Sequence, residues 1–385
     1  MNVLGYKREN GTVGFRNYVL ILPSVSCANK VAEEIADGIE GVVAIPHQCG
    51  CGQLGEDREQ TTRVLVNIAA NPNVAAVVVV GLGCEGIPAD LLGDKISSFK
   101  KPVEIVVIQK EGGSLRAIEK GRRLALKMVE NSSKIKREPV SISEITLGLK
   151  CGGSDSFSGI SANPVLGFAV DSLIAQGGRA VLTEISEIIG AEHILAKRAA
   201  NEIVKKRILE VVTRFEKKAI SYGVDIRGTQ PSPGNIRGGL TTIEEKSIGS
   251  IIKSGTTPIR EVVEYGEIPR EKGVVLMNGP AYEPHSLAGL LATGVQIIAF
   301  TTGRGNPCGT AIAPVIKISS NTRLYERMND NIDFNAGVVV SGEETFQQAG
   351  QRLLNLILNV ASGEMTRAEI LKDNAFDIWR LGTSI

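Results

Sequence analysis

The chain has 385 residues, 43% hydrophobic and 22% charged, with 43 basic residues against 42 acidic ones. That length exceeds one ordinary core and predicts two domains. The balanced charge gives neither the basic field of a nucleic-acid binder nor the acidic excess of a disordered chain, and the longest apolar run, around Val74 to Leu82, is too short to span a membrane.

Met1-Asn2-Val3-Leu4-Gly5-Tyr6-Lys7-Arg8 has no apolar segment ahead of a small-residue cleavage site, so the expected location is the cytoplasm. Strands are then predicted at Tyr18 to Ser24, Val42 to Pro46, Val74 to Leu82 and Val103 to Gln109. Between and after them, helices are predicted at Ala28 to Ile39, Arg58 to Ala70, Ala89 to Ser98 and Leu115 to Glu130. Near-continuous Val/Ile runs alternating with helices mean parallel strands buried on both faces. Asn131 to Pro139 is polar, charged and closed by proline, which marks a linker. Beyond it come a strand at Ile145 to Leu149, a helix at Pro164 to Gln176, a strand at Ala180 to Thr183 and a long helix from about Ala191 to Tyr222. Asp225 to Gly239 carries glycines and prolines and is expected to be a functional loop. Strands at Gly273 to Met277 and Val295 to Thr301 flank a helix near His285 to Ala292, and Thr345 to Ser362 is an amphipathic helix before a tail that carries the only Trp, Trp379. The fold class expected is α/β. An N-terminal doubly wound, Rossmann-like parallel sheet over residues 1–135 precedes a larger α/β catalytic domain over 140–385, with the active site between them.

Three predicted strands end in chemistry-bearing residues among glycines: His47-Gln48-Cys49-Gly50-Cys51, Gly83-Cys84-Glu85-Gly86 and Lys150-Cys151-Gly152-Gly153-Ser154-Asp155. Ligands of doubly wound sheets bind beyond the carboxyl ends of the strands, so these ends suggest one shared pocket. Cys27 also follows an apolar run. Six cysteines in a reducing compartment do not make a disulfide framework, whereas thiolate and imidazole suit soft or borderline metals. The plainer alternative is a glycine-rich turn that merely contains cysteines. Ser154 and Asp155 suit a helix cap as well as a site. Arg304 in Thr301-Thr302-Gly303-Arg304-Gly305 offers a planar fork for a carboxylate, or is a solvated turn residue. Lys317 in Val315-Ile316-Lys317-Ile318 reads as the solvent-facing residue of a strand, and His193 and His285 as surface or capping histidines. No Gly-x-x-x-x-Gly-Lys-Ser/Thr or Gly-x-Gly-x-x-Gly pattern supports a nucleotide cofactor.

Gly11-Thr12-Val13-Gly14-Phe15-Arg16-Asn17, the stretch from His47 to Asp57, Gly81-Leu82-Gly83-Cys84-Glu85, and Cys151 to Asp155 with Ser158 to Pro164 resemble the altronate and galactarate dehydratase family. So do Gly190-Ala191-Glu192, Pro231 to Asn235, Gly238 to Ser247 and Thr302 to Gly305. The resemblance implies a hydro-lyase that converts a hexonic or hexaric acid to a 2-keto-3-deoxy acid with a divalent metal, ferrous iron first and manganese second; separately, the number of cysteines leaves an iron–sulfur cluster, which some hydro-lyases use, as an alternative cofactor. It extends to the large subunit of a carbon–sulfur lyase that splits sulfolactate into pyruvate and sulfite, and a non-catalytic metal or redox protein is the reading of another class. Cys49, Lys150 and Cys308, with His193 and His285, depart from the sugar-acid enzymes, and Lys150 bears on which acid is used. The expected metal ligands are His47, Cys51, Cys84 and Cys151; Asp155 and Glu85 are the proton-transfer candidates. Arg304 and Asn235 anchor a carboxylate, and Ser154, Asn163 and Lys246 complete the substrate contacts. A separate small subunit and self-association are the expected partners, with neither nucleic acid nor membrane.

Overall fold

The computed structural model describes residues 2–385. Its strands are β1 (Asn2–Lys7), β2 (Val13–Gly14), β3 (Tyr18–Pro23), β4 (Val42–Ala44), β5 (Val74–Gly81), β6 (Val103–Val107), β7 (Glu138–Ser141), β8 (Thr146–Cys151), β9 (Arg179–Leu182), β10 (Ile259–Val263), β11 (Gly273–Met277), β12 (Ile297–Thr302), β13 (Val315–Ser319) and β14 (Phe334–Asn335). The α/β expectation holds. A four-stranded parallel sheet runs β4-β3-β5-β6, and a seven-stranded parallel sheet runs β10-β11-β9-β8-β12-β13-β14. The strand order reverses between β3 and β5 in the first sheet and between β8 and β12 in the second, so each sheet has one crevice where loops part to opposite faces.

Each sheet is buried on both faces because its strands are apolar at successive positions, as in Val74-Ala75-Ala76-Val77-Val78-Val79-Val80. One face of the large sheet, with Leu147, Leu149, Ala299 and Ile316, packs on helices Ala162–Ala175, Glu202–Ser221 and Phe346–Ser362. The opposite face, with Val181, Val275, Ile298 and Phe300, shares a core with Leu20, Leu22, Val77 and Val79 of the small sheet. Helices Gly55–Ala70 and Glu283–Ala292 fill the space between the sheets. The two sheets therefore meet through a continuous apolar contact.

Several elements differ from expectation. Within the predicted linker the preceding helix runs to Ser133, and Glu138–Ser141 pairs antiparallel with β1. The predicted helix from Ala191 to Tyr222 breaks after Lys197 and restarts at Glu202, where the Asn201 side chain accepts from the Val204 amide at 3.0 Å. Asp225 to Gly239 contains two short helices, Ile226–Thr229 and Pro233–Arg237. Arg16 closes the molecule on itself. Its Nε and Nη2 meet the two Glu369 carboxylate oxygens at 2.6 and 2.8 Å, and its remaining N–H groups donate to the carbonyls of Phe15, Val360 and Glu364. A buried guanidinium with every donor used is favourable where a partly paired one is not. The tail returns to the small sheet: Arg380 donates to Asp57 Oδ2 at 2.8 and 3.1 Å, and Ile378 exchanges hydrogen bonds with the Gln48 side chain.

Candidate functional site

At the β8/β12 crevice the two strand ends are tied by their backbones. Gly152 N donates to Thr301 O at 3.1 Å, while the amides of Gly303 and Arg304 donate to Gly153 O at 3.1 and 2.9 Å. Gly303 sits so close to the Asp155 carboxyl group that a Cβ would lie 2.1 Å from it, so only glycine permits this approach.

Lys150 of β8, Phe300 of β12 and Lys317 of β13 are register partners and form a row across three strands. Lys150 Nζ lies 5.5 Å and Lys317 Nζ 3.7 Å from the centre of the Phe300 ring. Lys317 is fully buried, which overturns its reading as a solvent-facing residue: the face that alternation assigns to water is covered by the second sheet. Burial pushes its ammonium down to about 7.

Lys150 Nζ donates to Glu184 Oε1 at 2.5 Å and to the carbonyls of Cys151 and Ala281, each at 2.8 Å. The other Glu184 oxygen accepts from Cys151 N at 3.0 Å and faces Lys253 Nζ at 3.2 Å. Lys253 reaches Ser250 Oγ at 2.6 Å and Cys151 Sγ at 3.2 Å, and Ser250 Oγ stands 3.4 Å from that sulfur. Burial raises the Glu184 carboxyl, but Lys150 and Lys253 outweigh it and hold the group below its ordinary range. Burial opposes the charge of both lysines, yet Glu184 beside Lys150, and Cys151 and Glu184 beside Lys253, keep each above the usual lysine value. The Cys151 thiol is raised by burial and by Glu184. Two ammonium groups against one carboxylate leave a buried positive excess. Next to it, Lys246 Nζ pairs with Glu187 Oε1 at 2.9 Å and donates to Gln230 Oε1 at 3.0 Å, while Glu187 Oε2 is buried with no hydrogen-bond partner. A cavity of about 410 Å³ is lined by Lys246, Ser250, Ser154, Asp155 and Asn163, among others.

Of the substrate contacts expected from sequence, Ser154, Asn163 and Lys246 thus line one cavity. Asn163 is held by Thr301 Oγ1, which donates to its Oδ1 at 2.6 Å, and Asn235 donates to Ser154 O at 3.0 Å, so Asn235 shapes the wall. Arg304 is exposed and makes no ion pair among the described residues. Asp155 does not stand free as a proton-transfer group. Its oxygens accept from Ser158 N, Ser158 Oγ, Ser320 Oγ and Asn321 Nδ2 at 2.8 to 3.1 Å, fastening the β8 turn to the β13 turn. Glu85 lies after β5, where Ser24 Oγ and Gly83 N donate to it; burial raises its carboxyl, and these donors with its own amide outweigh burial and lower it.

The expected four-ligand centre is not assembled. Cys151 belongs to the lysine network, Cys51 and Cys84 are exposed, and among the described residues no three His, Cys, Asp or Glu side chains are grouped to hold a metal ion. His47 is committed on both nitrogens. Nε2–H donates to Pro23 O at 2.7 Å, which leaves Nδ1 to accept from Cys49 N at 3.2 Å. Burial lowers this imidazole from 6.5 to about 4. Between those values the unfolded chain binds a proton that the folded chain does not. The stabilisation, about 3 kcal/mol from the size of the shift, is therefore complete above pH 6.5 and lost as pH falls to about 4. His47→Gln should flatten that part of a plot of urea midpoint against pH; an unchanged slope would remove His47 as its source.

Sequence reasoning passed over Glu184, Glu187, Ser250 and Lys253. Glu184 and Glu187 follow the predicted strand Ala180 to Thr183, so the strand-end rule already applied to the cysteines could have found them. Lys253, inside Ile251-Ile252-Lys253-Ser254, carries no such signal.

Residues 142–384 match the family model described as D-galactarate/altronate dehydratase, C-terminal, and residues 5–133 match D-galactarate dehydratase/altronate hydrolase, second domain. The altronate dehydratase of Bacillus subtilis is 38% identical over 99% of this chain and 78% of its own length. The (2R)-sulfolactate sulfo-lyase subunit beta of Chromohalobacter salexigens is 38% identical over 98% of this chain and 97% of its own, and the galactarate dehydratase (L-threo-forming) of Escherichia coli is 37% identical over 94% and 72%. With both models matched in order along the chain, and relatives of this closeness across nearly all of it, the chain belongs to the D-galactarate/altronate dehydratase family of hydro-lyases.

Proposed function

We propose that the chain dehydrates a hexonic or hexaric acid such as altronate or galactarate to a 2-keto-3-deoxy acid in the cavity beside the Lys150–Glu184–Lys253 network. The observation that carries this is the buried positive excess next to a carboxylate oxygen that has no partner, Glu187 Oε2. Such a reaction needs a cation for the substrate carboxylate, a base for the proton on the adjacent carbon, and a donor for the departing hydroxyl. Lys246 lines the cavity and binds the carboxylate. Glu187 takes the proton, and the enediolate that forms is stabilised by the fixed positive charge of Lys150 and Lys253 in a site shielded from water. The β-hydroxyl then leaves as water with a proton from Ser250, which Lys253 replaces, and the enol becomes the ketone as Glu187 returns its proton to C3 and the enol hydroxyl gives its proton back to Lys253. A divalent metal, a cytoplasmic location, self-association and a separate small subunit belong to the same reading.

The sulfolactate relative matches at the same 38% identity as the Bacillus altronate dehydratase, which supports one rival. There sulfite, not water, leaves from the carbon next to the enediolate, and pyruvate forms. Anaerobic incubation with ferrous iron, with and without a candidate small subunit, against altronate, galactarate and sulfolactate distinguishes them by mass spectrometry. A 2-keto-3-deoxy acid is the expected product. Pyruvate with sulfite would replace the dehydratase reading by the sulfo-lyase one, and no product from any acid would remove both.

A further inference from the structure

We propose that a second cavity, at the opposite end of the large sheet from the lysine network, binds a small organic monocarboxylate. Its volume is about 310 Å³. Thr146 and Arg179, the first residues of β8 and β9, line it together with Lys272 and Gln296, which stand just before β11 and β12. Lys150 and Cys151 close β8 at its other end, about 13 Å of strand away. The two cavities are therefore separate. Phe99, which follows the helix Ala89–Ser97 packed on the small sheet, lines the same space, so its walls come from both layers of the molecule.

The cations of this cavity are unmatched. Arg179 Nε donates to Glu271 O at 2.7 Å and Nη2 to Arg270 O at 3.5 Å, and Lys272 Nζ donates to Ser143 O, all of them backbone carbonyls. Among the described residues neither side chain makes an ion pair, and three of the five guanidinium N–H groups stay unused. Loss of hydration lowers both cations against the attraction of nearby acids, Glu261 first for Arg179 and Glu144 for Lys272, and Arg179 lowers Lys272 further. Glu144 is the only carboxylate that lines the cavity, so two positive charges meet one negative charge there and one remains over. That balance suits a single carboxylate, whose two oxygens match the planar fork of Arg179. Asn10 adds side-chain N–H groups that donate to no described residue, its oxygen being taken by Thr12 N and Oγ1. Phe99 and Ile268, the latter 38% exposed, supply an apolar wall. A short hydrocarbon body fits such a wall, and a chain of hydroxyls does not.

The test is equilibrium dialysis against labelled isovalerate, a monocarboxylate with a branched apolar body, using the full chain with Lys246→Met so that the other cavity lacks its substrate-binding cation. This chain should bind one isovalerate with a Kd of about 1 mM or tighter, the range open to a ligand of about seven heavy atoms. Adding Lys272→Met or Arg179→Met should weaken binding about tenfold or more, the effect of losing a charge-assisted hydrogen bond, with circular dichroism unchanged. Isovaleramide keeps the shape without the charge, inorganic phosphate keeps charge without the apolar body, and each should compete about tenfold more weakly or worse. Lys272 is exposed, so its variant folds and decides the matter even where Arg179→Met does not fold. Absence of saturable binding, equal competition by isovaleramide or by phosphate, or full affinity in Lys272→Met would overturn the proposal. The readout involves no turnover, so a chain that binds isovalerate but dehydrates none of the acids would sink the proposed function and leave this site standing.

Discussion

Glu184→Gln should destabilise the chain by about 3–5 kcal/mol, the largest stability effect expected of any isosteric substitution in it. Glu184 is fully buried and its carboxylate faces both Lys150 and Lys253, which are equally shielded from water. The amide keeps the shape but removes the only full negative charge that meets both ammonium groups, so the variant must neutralise a lysine or bury an unpaired cation. Glu184 also adopts a left-handed backbone, φ 73°, which costs a non-glycine residue about 1 kcal/mol or more. The ion pairs hold it there. Urea unfolding should show a lower midpoint, and adding Lys253→Met to Glu184→Gln should restore part of the loss, because the two changes share one interaction. Wild-type stability in the single variant would mean that the lysines do not depend on this carboxylate for their charge.

Glu187→Gln should lower kcat by about 10²- to 10⁴-fold, the range for loss of a positioned base, with a small change in KM. The amide oxygen can still accept from Lys246, so substrate anchoring survives while the proton acceptor is lost. Lys246→Met should show the complementary pattern, a raised KM with a smaller fall in kcat, because it removes a charge that binds the substrate carboxylate before and during reaction. The two are separable by steady-state kinetics on whichever acid is turned over. An unchanged kcat in Glu187→Gln would remove it from the base role.

The predictions made from sequence succeeded where a local pattern has a local cause. Runs such as Val74 to Val80 read as strands of a sheet covered on both sides, and that is where they lie. They fell short where a residue's role depends on what another part of the chain places against it. Alternation made Lys317 a surface residue, but the second sheet lies over that face. Asp155 looked free to move a proton, but turns more than a hundred residues later spend its lone pairs. His47 had metal-ligand spacing with the cysteines, but Pro23 takes one ring nitrogen and the Cys49 amide the other.

By itself the sequence determined the α/β class, the order of most of its elements and the strand ends at which chemistry gathers, because hydrophobic period and turn chemistry act over a few residues. Only the tertiary structure decided which strand ends share a site. Parallel strands are neighbours through crossovers, so β8 lies beside β12 and Lys150 finds Glu184 and Lys253 across long separations in the chain. Charges at such distances in sequence interact only once packing has brought them together and removed the water between them.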